Sequence, residues 1–564
     1  MTIVRRPGAV PATLLAAGIP PVLARVYASR GIVDAAELDH SLGALPDFSG
    51  FHNIGAAADR LAHALATNER IVIVADYDAD GATACAVAVR GLRALGADVS
   101  FVVPNRFEFG YGLTPEIVAL AAAQSPRLIV TVDNGIASVD GVAAAAAAGI
   151  DVLVTDHHLP GGVLPTPAII VNPNQPQCGF ASKHVAGVGV MFYVLCALRA
   201  LLRTRGAFTS RPEPNLAALL DLVALGTVAD VVRLDHVNRI FVEQGLARIR
   251  RGRAQPGIAA LFTVAGRDIE RANASDLGFV AGPRLNAAGR LADMSLGIRC
   301  LLAESQAEAE PMARELDRLN RERRDIEATM QDEALADVER SEMLDDTDAY
   351  TLCVHRPEWH PGVVGIVASR LKDRYHRPVI VFACGSGDEL RGSGRSIAGF
   401  HLRDALDVVS KRAPGVIVRF GGHAFAAGLT IRAPALSDFI AVFEAIARET
   451  LSEAQLRRVH ESDGALEPGE LTFALGSTLA QCVWGQGFPP PAFDDHFDVL
   501  EQRPVGEGHA RLMLARKGER FAAIAFRTPV SMPARIHALY RPEIHQWQGL
   551  LNLELMIEHW AALP

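Results

Sequence analysis

The chain has 564 residues, several times the usual single-domain length, so three or more domains with their own cores are expected. A composition of 49% hydrophobic and 21% charged residues excludes a disordered chain, and a net charge of -9 argues against a protein that binds nucleic acid over its whole surface. The seven cysteines stand singly, with no Cys-x-x-Cys pair, which excludes a disulfide framework and points to reduced thiols in a cytoplasmic protein.

At the N-terminus, Pro7, Pro11, Pro20 and Pro21 interrupt the apolar residues and Arg25 follows soon after, so no signal peptide is expected. Residues 1–60 read as an extension packing on the core. No run approaches the roughly 20 apolar residues of a membrane span. The Ala-rich "GVAAAAAAGI" at 141–150 is the longest candidate, and no membrane partner is expected.

From residue 71 the chain alternates short apolar strands with helices. "IVIVA" (71–75) precedes an Ala/Val-rich helical stretch, "LIVTV" (128–132) precedes "DNGIASVDG", and "DVLVT" (151–155) precedes "DHHLPGG". Wholly apolar strands between helices indicate βαβ units and a parallel sheet covered on both faces, with ligands gathering at the carboxyl ends of the strands. Asp76, Asp78, Asp80, Asp133, Asp156, His157 and His158 all fall at that edge. Singly, each acid reads as a turn or helix-cap residue. Together they would repel one another and resist ionisation unless a cation stood among them. Asp230, after the apolar "LLDLVALGTVA", adds a candidate from a distant segment; its helical period extends to Leu225. Carboxylates with imidazole and no thiolate suit Mn2+ or Mg2+ better than Zn2+. Two such ions are a recurring device for hydrolysing phosphate esters.

"DYDADG", "VDNG", "TDHH" and "GTVADV", in this order, resemble the four motifs of the DHH phosphoesterase superfamily. The chain is similar almost throughout to the RecJ family within it, bacterial exonucleases that degrade single-stranded DNA from 5′ to 3′. Further stretches carrying the resemblance are "PNRFEFGYGL" (104–113), "VNPNQPQCGFASKHVAGVGV" (171–190), "GPRLNAAGRL" (282–291), "HPGVVGIVASRL" (360–371), "GSGRS" (392–396) and "FGGHAFAAGLTI" (420–431). The resemblance implies that Asp78, Asp80, Asp133, His157 and Asp230 hold two divalent ions, Mn2+ or Mg2+. Asp76, Asp156 and His158 then sit at the edge of the site, as catalytic groups, ligands or orienters, with His158 near the scissile phosphate.

Residues 304–344 carry apolar positions, among them Leu316, Leu319, Met330 and Val338, at near-helical spacing amid alternating charge. Periodicity alone allows a solvated helix or a coiled-coil partner. The resemblance implies a long helix bridging two domains. In the second, "RGSGRSIAGF" and "FGGH" read first as glycine-rich hairpin turns. By resemblance, Ser393 and Arg395, with Arg106 from the first domain, hold a 5′-terminal phosphate. Arg284, Arg290 and His423 lie by the DNA backbone, and Tyr111 stacks on or blocks the terminal base.

After a proline-rich crossing at 484–495, short strand-like runs alternate with turns, and residues 501–564 carry eight Lys/Arg against six Asp/Glu. Arg511, Arg516, Lys517, Arg520 and Arg527 interleave with Phe521 and Phe526. The pattern fits a small β-domain with core aromatics as well as a barrel that stacks bases, and the resemblance favours an OB-like barrel.

The expected architecture is therefore α/β. A DHH domain with a parallel sheet (61–300) is followed by a bridging helix (301–348), an α/β DHH-associated domain (349–455) and a C-terminal OB-like β-barrel (456–564). The expected function is metal-dependent 5′ to 3′ hydrolysis of single-stranded DNA to mononucleotides, in repair and recombination. Expected partners are a strand with a 5′ end, a single-strand-binding protein and a helicase. The alternatives are a phosphodiesterase for short oligonucleotides or cyclic dinucleotides and a non-catalytic scaffold. The length of the chain counts against the first and the complete acidic set against the second.

Overall fold

The structure, a computed structural model, describes residues 2–104, 112–340, 349–506, 508–526, 528, 531–547 and 550–563. The chain divides into two compact units, residues 3–318 with 461–564, and residues 319–460.

In the first unit, strands β1 (Ile71–Ala75), β2 (Val99–Val102), β3 (Leu128–Val132), β4 (Asp151–Thr155) and β5 (Ile169–Val171) form one sheet in the order β2-β1-β3-β4-β5. All four pairings are parallel. Every residue of β1 and β3 is buried, which is why both read as unbroken apolar runs. Around the sheet lie helices α1 (Ala79–Leu95), α2 (Gly187–Thr204), α3 (Leu220–Ala229), α4 (His236–Arg250) and α5 (Gly282–Leu291). Helix α3 runs four residues beyond the expected Leu225 and stops at Ala229, so Asp230 occupies its C-cap. Helix α2 is the one described helix long and apolar enough to cross a membrane, longer than the Ala-rich stretch singled out in the sequence. Two-thirds of it is buried inside the protein, so its apolarity is that of a core helix.

Helix α6 (Gln306–Arg340) lies within the 301–348 stretch expected to form the bridging helix, and its apolar stripe includes the buried Leu316, Leu319, Met330 and Val338. The division between the two units falls within it, after Arg318. In the second unit, strands β6 (Leu352–His355), β7 (Val379–Cys384), β8 (Glu389–Arg395), β9 (Ile417–Gly422) and β10 (Ala426–Arg432) pair in the order β9-β10-β8-β7-β6. Only β6 and β7 run parallel. The glycines of "RGSGR" are strand residues, not turns. On strand β8, buried Gly392 and Gly394 alternate with half-buried Ser393 and Arg395, and a Cβ on Gly392 would come within 2.6 Å of Leu429 and Phe382. These glycines let the core close, while the alternate positions present the polar side chains on the other face.

Strands β11 (Phe493–Val505), β12 (His509–Arg516), β13 (Glu519–Ala525), β14 (Arg535–Trp547) and β15 (Leu550–Ala562) form a closed barrel in the order β11-β12-β13-β15-β14. Its core holds Phe497, Leu512, Leu514, Tyr540 and Leu555, and also Val22, Leu23 and Val26 of the helix Pro21–Ala28. Arg5 pairs with Asp494 at 3.2 Å, and Arg30 with Asp463 at 2.8 Å. The N-terminal extension thus packs against the barrel, and a chain cut near Glu461 would leave its helix without a seat.

Helices α3 and α4 touch so closely that a Cβ on Gly245 would collide with Ala224 Cβ and with the Leu220 carbonyl oxygen. Gly245→Val is expected to lower stability by about 1–3 kcal/mol or more, since the backbone cannot give way as a side-chain tip can. Thermal unfolding of the full chain measures this, and an unchanged first transition would contradict the packing.

Candidate metal centre

The acids reach one edge because the sheet is parallel. Asp76, Asp133 and Asp156 each follow the last residue of a strand, and their backbone N–H groups continue the ladder. Asp76 donates to Val132 O, Asp133 to Thr155 O and Asp156 to Val171 O. This sets three carboxylates in a row at the carboxyl end of β1, β3 and β4. Asp133 sits at φ +62°, and the neighbouring Asn134 donates to Val74 O at 3.1 Å and Val132 O at 2.9 Å, clamping the two strand ends. The turn reading and the functional reading of "VDNG" thus describe one feature.

Asp78 caps α1 by accepting from Gly81 N at 3.0 Å. Asp80, in the first turn of that helix, is fully buried. Its two oxygens accept from Gly187 N at 2.7 Å and Val188 N at 3.0 Å, the first amides of α2. A Cβ on Gly187 would lie 2.6 Å from Asp133 Cβ, so glycine is what lets α2 approach the row. Asp230 enters from the end of α3. His157 Nε2 lies 3.1 Å from Asp133 Oδ1, 3.4 Å from Asp230 Oδ2 and 4.0 Å from Asp80 Oδ2.

Among the described residues three donor sets result, each with one donor atom per residue and all atoms within 4.8 Å of one another. They are Asp76 with Asp78 and Asp133, Asp80 with His157 and Asp230, and Asp133 with His157 and His158. Asp133 and His157 are each shared by two sets, so the sets describe adjoining positions. The electrostatics agree with a cation site. Burial first, then Asp78, pushes Asp80 up to about 7. Asp76, Asp133 and Asp230 are held well above the usual carboxylate range by burial and then by neighbouring carboxylates. Oxygen donors outnumber imidazole and no thiolate belongs to the sets, which suits a hard divalent cation.

Asp156 differs from the rest. Its Oδ1 accepts from His157 N at 2.7 Å, His158 N at 3.1 Å and His158 Nδ1 at 2.8 Å, and its Oδ2 from Ile136 N at 2.9 Å. Burial opposes its charge, yet the His158 hydrogen bond and the nearby imidazoles keep it below the usual carboxylate range. Burial likewise opposes a charged His158, but Asp156, Asp76 and Asp78 outweigh it and raise that ring to about 9. Asp156 therefore orients the histidines and is itself compensated within the protein.

The remaining expected residues are placed as follows. Arg284 on α5 is half-buried and binds Asp317, Nε at 3.0 Å and Nη2 at 2.8 Å from Oδ1, and donates to Val280 O. This pair engages the guanidinium that resemblance assigns to DNA. Arg290 stands in the last turn of the same helix. In the other unit, Arg395 Nη1 donates to Ser393 Oγ at 3.2 Å and to Gly394 O at 2.8 Å. Both side chains face Gly365 at the start of helix α7 (Val364–Tyr375), where a Cβ would lie 2.9 Å from Ser393 Oγ and 3.1 Å from Arg395 Nη2. Among the described residues no carboxylate pairs with Arg395, and burial lowers its pKa. His423 is exposed in the turn between β9 and β10, with its N–H on Ala426 O at 2.7 Å. Arg106 and Tyr111 lie outside the described residues. In the barrel, Arg516 is buried against Asp495 and Leu466 O, and Phe521 packs on the core, so both are structural. Phe526 remains half exposed, and Arg527 lies outside the described residues.

Reasoning from sequence missed Asn286, whose Oδ1 accepts from Ala79 N at 2.9 Å, and Gly289, where a Cβ would strike Tyr77 O. Both belong to "GPRLNAAGRL", in which the arginines drew attention. The asparagine between them was the signal, because it supplies the acceptor for a helix-start amide.

Comparison with known proteins extends this picture along the whole chain. Residues 70–227 match the DHH family, N-terminal domain; residues 348–449 match the DHHA1 domain; and residues 462–559 match the RecJ OB domain. The single-stranded-DNA-specific exonuclease RecJ of Dickeya dadantii (strain 3937) is 50% identical over 566 residues, 98% of this chain and 98% of that one. Among solved structures, RecJ from Thermus thermophilus in complex with Mn2+ superposes with a TM-score of 0.82 at 31% identity, covering 100% of this chain and 79% of that chain. The same protein in complex with Mg2+ gives 0.77 at 30%, covering 100% and 78%.

In metal-stripped protein the raised carboxylates set a pH dependence. An acid whose folded pKa exceeds its unfolded value binds protons more tightly when folded, so stability falls as pH rises between the two. For Asp80 that window runs from 3.8 to about 7. His158 keeps its stabilising charge throughout most of it, losing it only above 6.5 and toward about 9. The melting temperature in EDTA is therefore expected to fall across this window. Mn2+ is expected to raise it more at about pH 7.5 than at about pH 5, because protons and cation compete for the same oxygens. Differential scanning fluorimetry measures both, and a melting temperature that climbs through the window in EDTA would contradict the cluster's charge balance.

Proposed function

This chain belongs to the RecJ family of the DHH superfamily, and we propose that it is a divalent-metal-dependent exonuclease specific for single-stranded DNA, running 5′ to 3′ and releasing mononucleotides. The carrying observation is the convergence of Asp76, Asp78, Asp80, Asp133 and Asp230 with His157 at one sheet edge, in a chain alike to a single-stranded-DNA-specific exonuclease over 98% of its length. The DHHA1 and RecJ OB matches account for length that a phosphodiesterase for small substrates would not need.

Asp78, Asp80, Asp133, His157 and Asp230 would hold two divalent ions, with Asp76 beside them. Such ions lower the pKa of an attacking water and stabilise charge developing on the leaving oxygen. The chain's own residues do the rest. Asp80 is fixed by the first amides of α2, which keeps its carboxylate from swinging. Asp156 holds the backbone of His157 and the ring of His158, and it keeps the His158 imidazole protonated so that a positive group faces the scissile phosphate. Burial of the row excludes bulk water, so each charge acts more strongly on a phosphodiester there than it would in solvent.

Polarity rests on Ser393 and Arg395. A guanidinium with no carboxylate partner among the described residues, a hydroxyl and a helix start meet on one face of strand β8, a combination that suits a terminal phosphate. Arg106, Arg290 and His423 complete the proposed contacts to the strand, and Tyr111 those to its terminal base. The Asp317 pair makes Arg284 a brace for α5 as well as a candidate phosphate contact. A substrate with a free single-stranded 5′ end implies a helicase that exposes it and a single-strand-binding protein that keeps it open. Free cysteines and bacterial relatives support a place in the cytoplasm with the DNA.

Single strands labelled at one end or the other and incubated with Mn2+ or Mg2+ test the reading, since 5′ to 3′ digestion releases a 5′ label at once as mononucleotide. Label released first from the 3′ end would overturn the polarity. Asp133→Ala is expected to cut hydrolysis to below a few percent with the fold retained, because this carboxylate serves two donor sets. Substantial activity at saturating metal would count against its role. Arg395→Ala should slow 5′-phosphorylated strands about ten-fold or more while sparing 5′-hydroxyl strands. Equal loss on both would move Arg395 elsewhere on the DNA.

A further inference from the structure

The stretch "VNPNQPQCGF" (171–180) carries none of the candidate ligands or phosphate contacts, yet its two asparagines hold the histidine pair. Asn172 follows the last residue of β5, as Asp76, Asp133 and Asp156 follow theirs, so it stands with them at the carboxyl edge of the sheet. It is fully buried. An amide at this place adds no charge to the row and brings a donor, which an ionised carboxylate lacks.

Both ends of that amide are engaged. Its Oδ1 accepts from Asn174 N at 2.7 Å, as in an Asx turn, while its Nδ2 donates to His158 O at 3.0 Å. Pro173 fixes the backbone between the asparagines, in a turn closed by Gln175 N on Asn172 O at 3.4 Å. The turn aims Asn174, whose Nδ2 donates to His157 O at 2.7 Å and to Lys183 O at 3.2 Å. Lys183 Nζ in turn donates to Pro173 O and Cys178 O, each at 2.7 Å, which ties the segment to itself.

With Asp156, the asparagines frame the histidines. Asp156 Oδ1 takes the N–H of His157 at 2.7 Å and that of His158 at 3.1 Å, while Asn174 and Asn172 take the two carbonyls. The peptide between the histidines is therefore gripped on both edges, its N–H by Asp156 and its C=O by Asn174. Asp156 also holds the His158 ring, at Nδ1. The His157 ring instead turns Nε2 to the acids, 3.1 Å from Asp133 and 3.4 Å from Asp230, so the peptide that Asn174 holds sets where this nitrogen falls. A functional side chain works only within about 0.5 Å of its place.

On the reading that His157 holds a divalent ion for the hydrolysis of single-stranded DNA, we propose that Asn174, seated by Asn172, is a positioning residue that sets the His157 imidazole for the metal. It acts through the His157 carbonyl and takes no part in the chemistry. Partners that orient a ligand in this way govern metal affinity without being ligands themselves.

The test uses the full chain and reads metal binding in the absence of DNA as well as turnover. Asn174→Ala and Asn174→Leu both remove the donors without adding charge, and melting in EDTA shows that each variant is folded. Mn2+ binding is titrated by electron paramagnetic resonance of the free ion, and hydrolysis of a single strand is followed against Mn2+ concentration. Each variant is expected to bind Mn2+ about ten-fold more weakly and to need about ten-fold more of it for half-maximal hydrolysis, with kcat at saturating Mn2+ within about three-fold and KM for the strand within about two-fold. Parental Mn2+ affinity in a folded variant would overturn the proposal. A loss of kcat that saturating Mn2+ does not restore would overturn it as well, by placing the effect outside metal binding. Weakened Mn2+ binding in both variants, together with a parental chain that releases no nucleotide with either metal, would overturn the proposed function and leave the role of Asn174 standing.

Discussion

Carboxylates crowded at the end of a buried sheet repel one another and lose hydration, and the rest of the centre is organised around that cost. Parallel pairing puts Asp76, Asp133 and Asp156 in one row, and the helices after and around the strands add Asp78, Asp80 and Asp230. The chain compensates one of these acids internally: Asp156 takes four hydrogen bonds and a charged His158. For Asp76, Asp80, Asp133 and Asp230 the balance falls the other way, since burial and neighbouring carboxylates prevail and their pKa values rise. A divalent cation is the charge that this arrangement calls for, and the contrast separates an orienting acid from the candidate ligands.

Bringing that many acids together demands close approach between backbones. Helix α2 can donate its first amides to Asp80 only because Gly187 has no Cβ to strike Asp133, and α5 can cap α1 through Asn286 only because Gly289 clears the Tyr77 carbonyl. Packing and electrostatics are thus one problem here, since each glycine sets the distance across which a charge is compensated.

In the barrel, polar and aromatic residues are turned inward. Arg516, Asp495 and Tyr540 form a buried polar network, with Tyr540 Oη donating to Asp495 Oδ2 at 2.9 Å, and Phe497 and Tyr540 fill the core. Arg516 and Phe521 are therefore engaged in folding, whereas Arg511, Lys517 and Arg520 stay exposed and Phe526 is half exposed. The N-terminal helix completes the barrel core, which ties the two ends of the chain into one unit.

Much of this was legible in the residues alone. Unbroken apolar runs announced a parallel sheet, and acids at the ends of those runs announced a shared edge, because strand direction determines where the following residue lies. The stripe from Leu316 to Val338 announced a long helix, and its Gln306–Arg340 span lies within the 304–344 stretch read as helical. What only the tertiary structure decided was which polar groups are already engaged. Arg284 and Arg395 look alike in sequence, yet Asp317 occupies the first, and no described carboxylate pairs with the second. Asp156 and Asp133 follow equivalent strands, yet one is held below the usual carboxylate range and the other well above it. Gly392 reads as a turn and is a strand residue, whereas Gly187 passes unnoticed in "VAGVGV" and is the point where a helix meets Asp133 from a distant strand end. Local pattern sets where a side chain starts, whereas its partners come from segments far along the chain, and those partners decide whether a charge is left to meet a ligand.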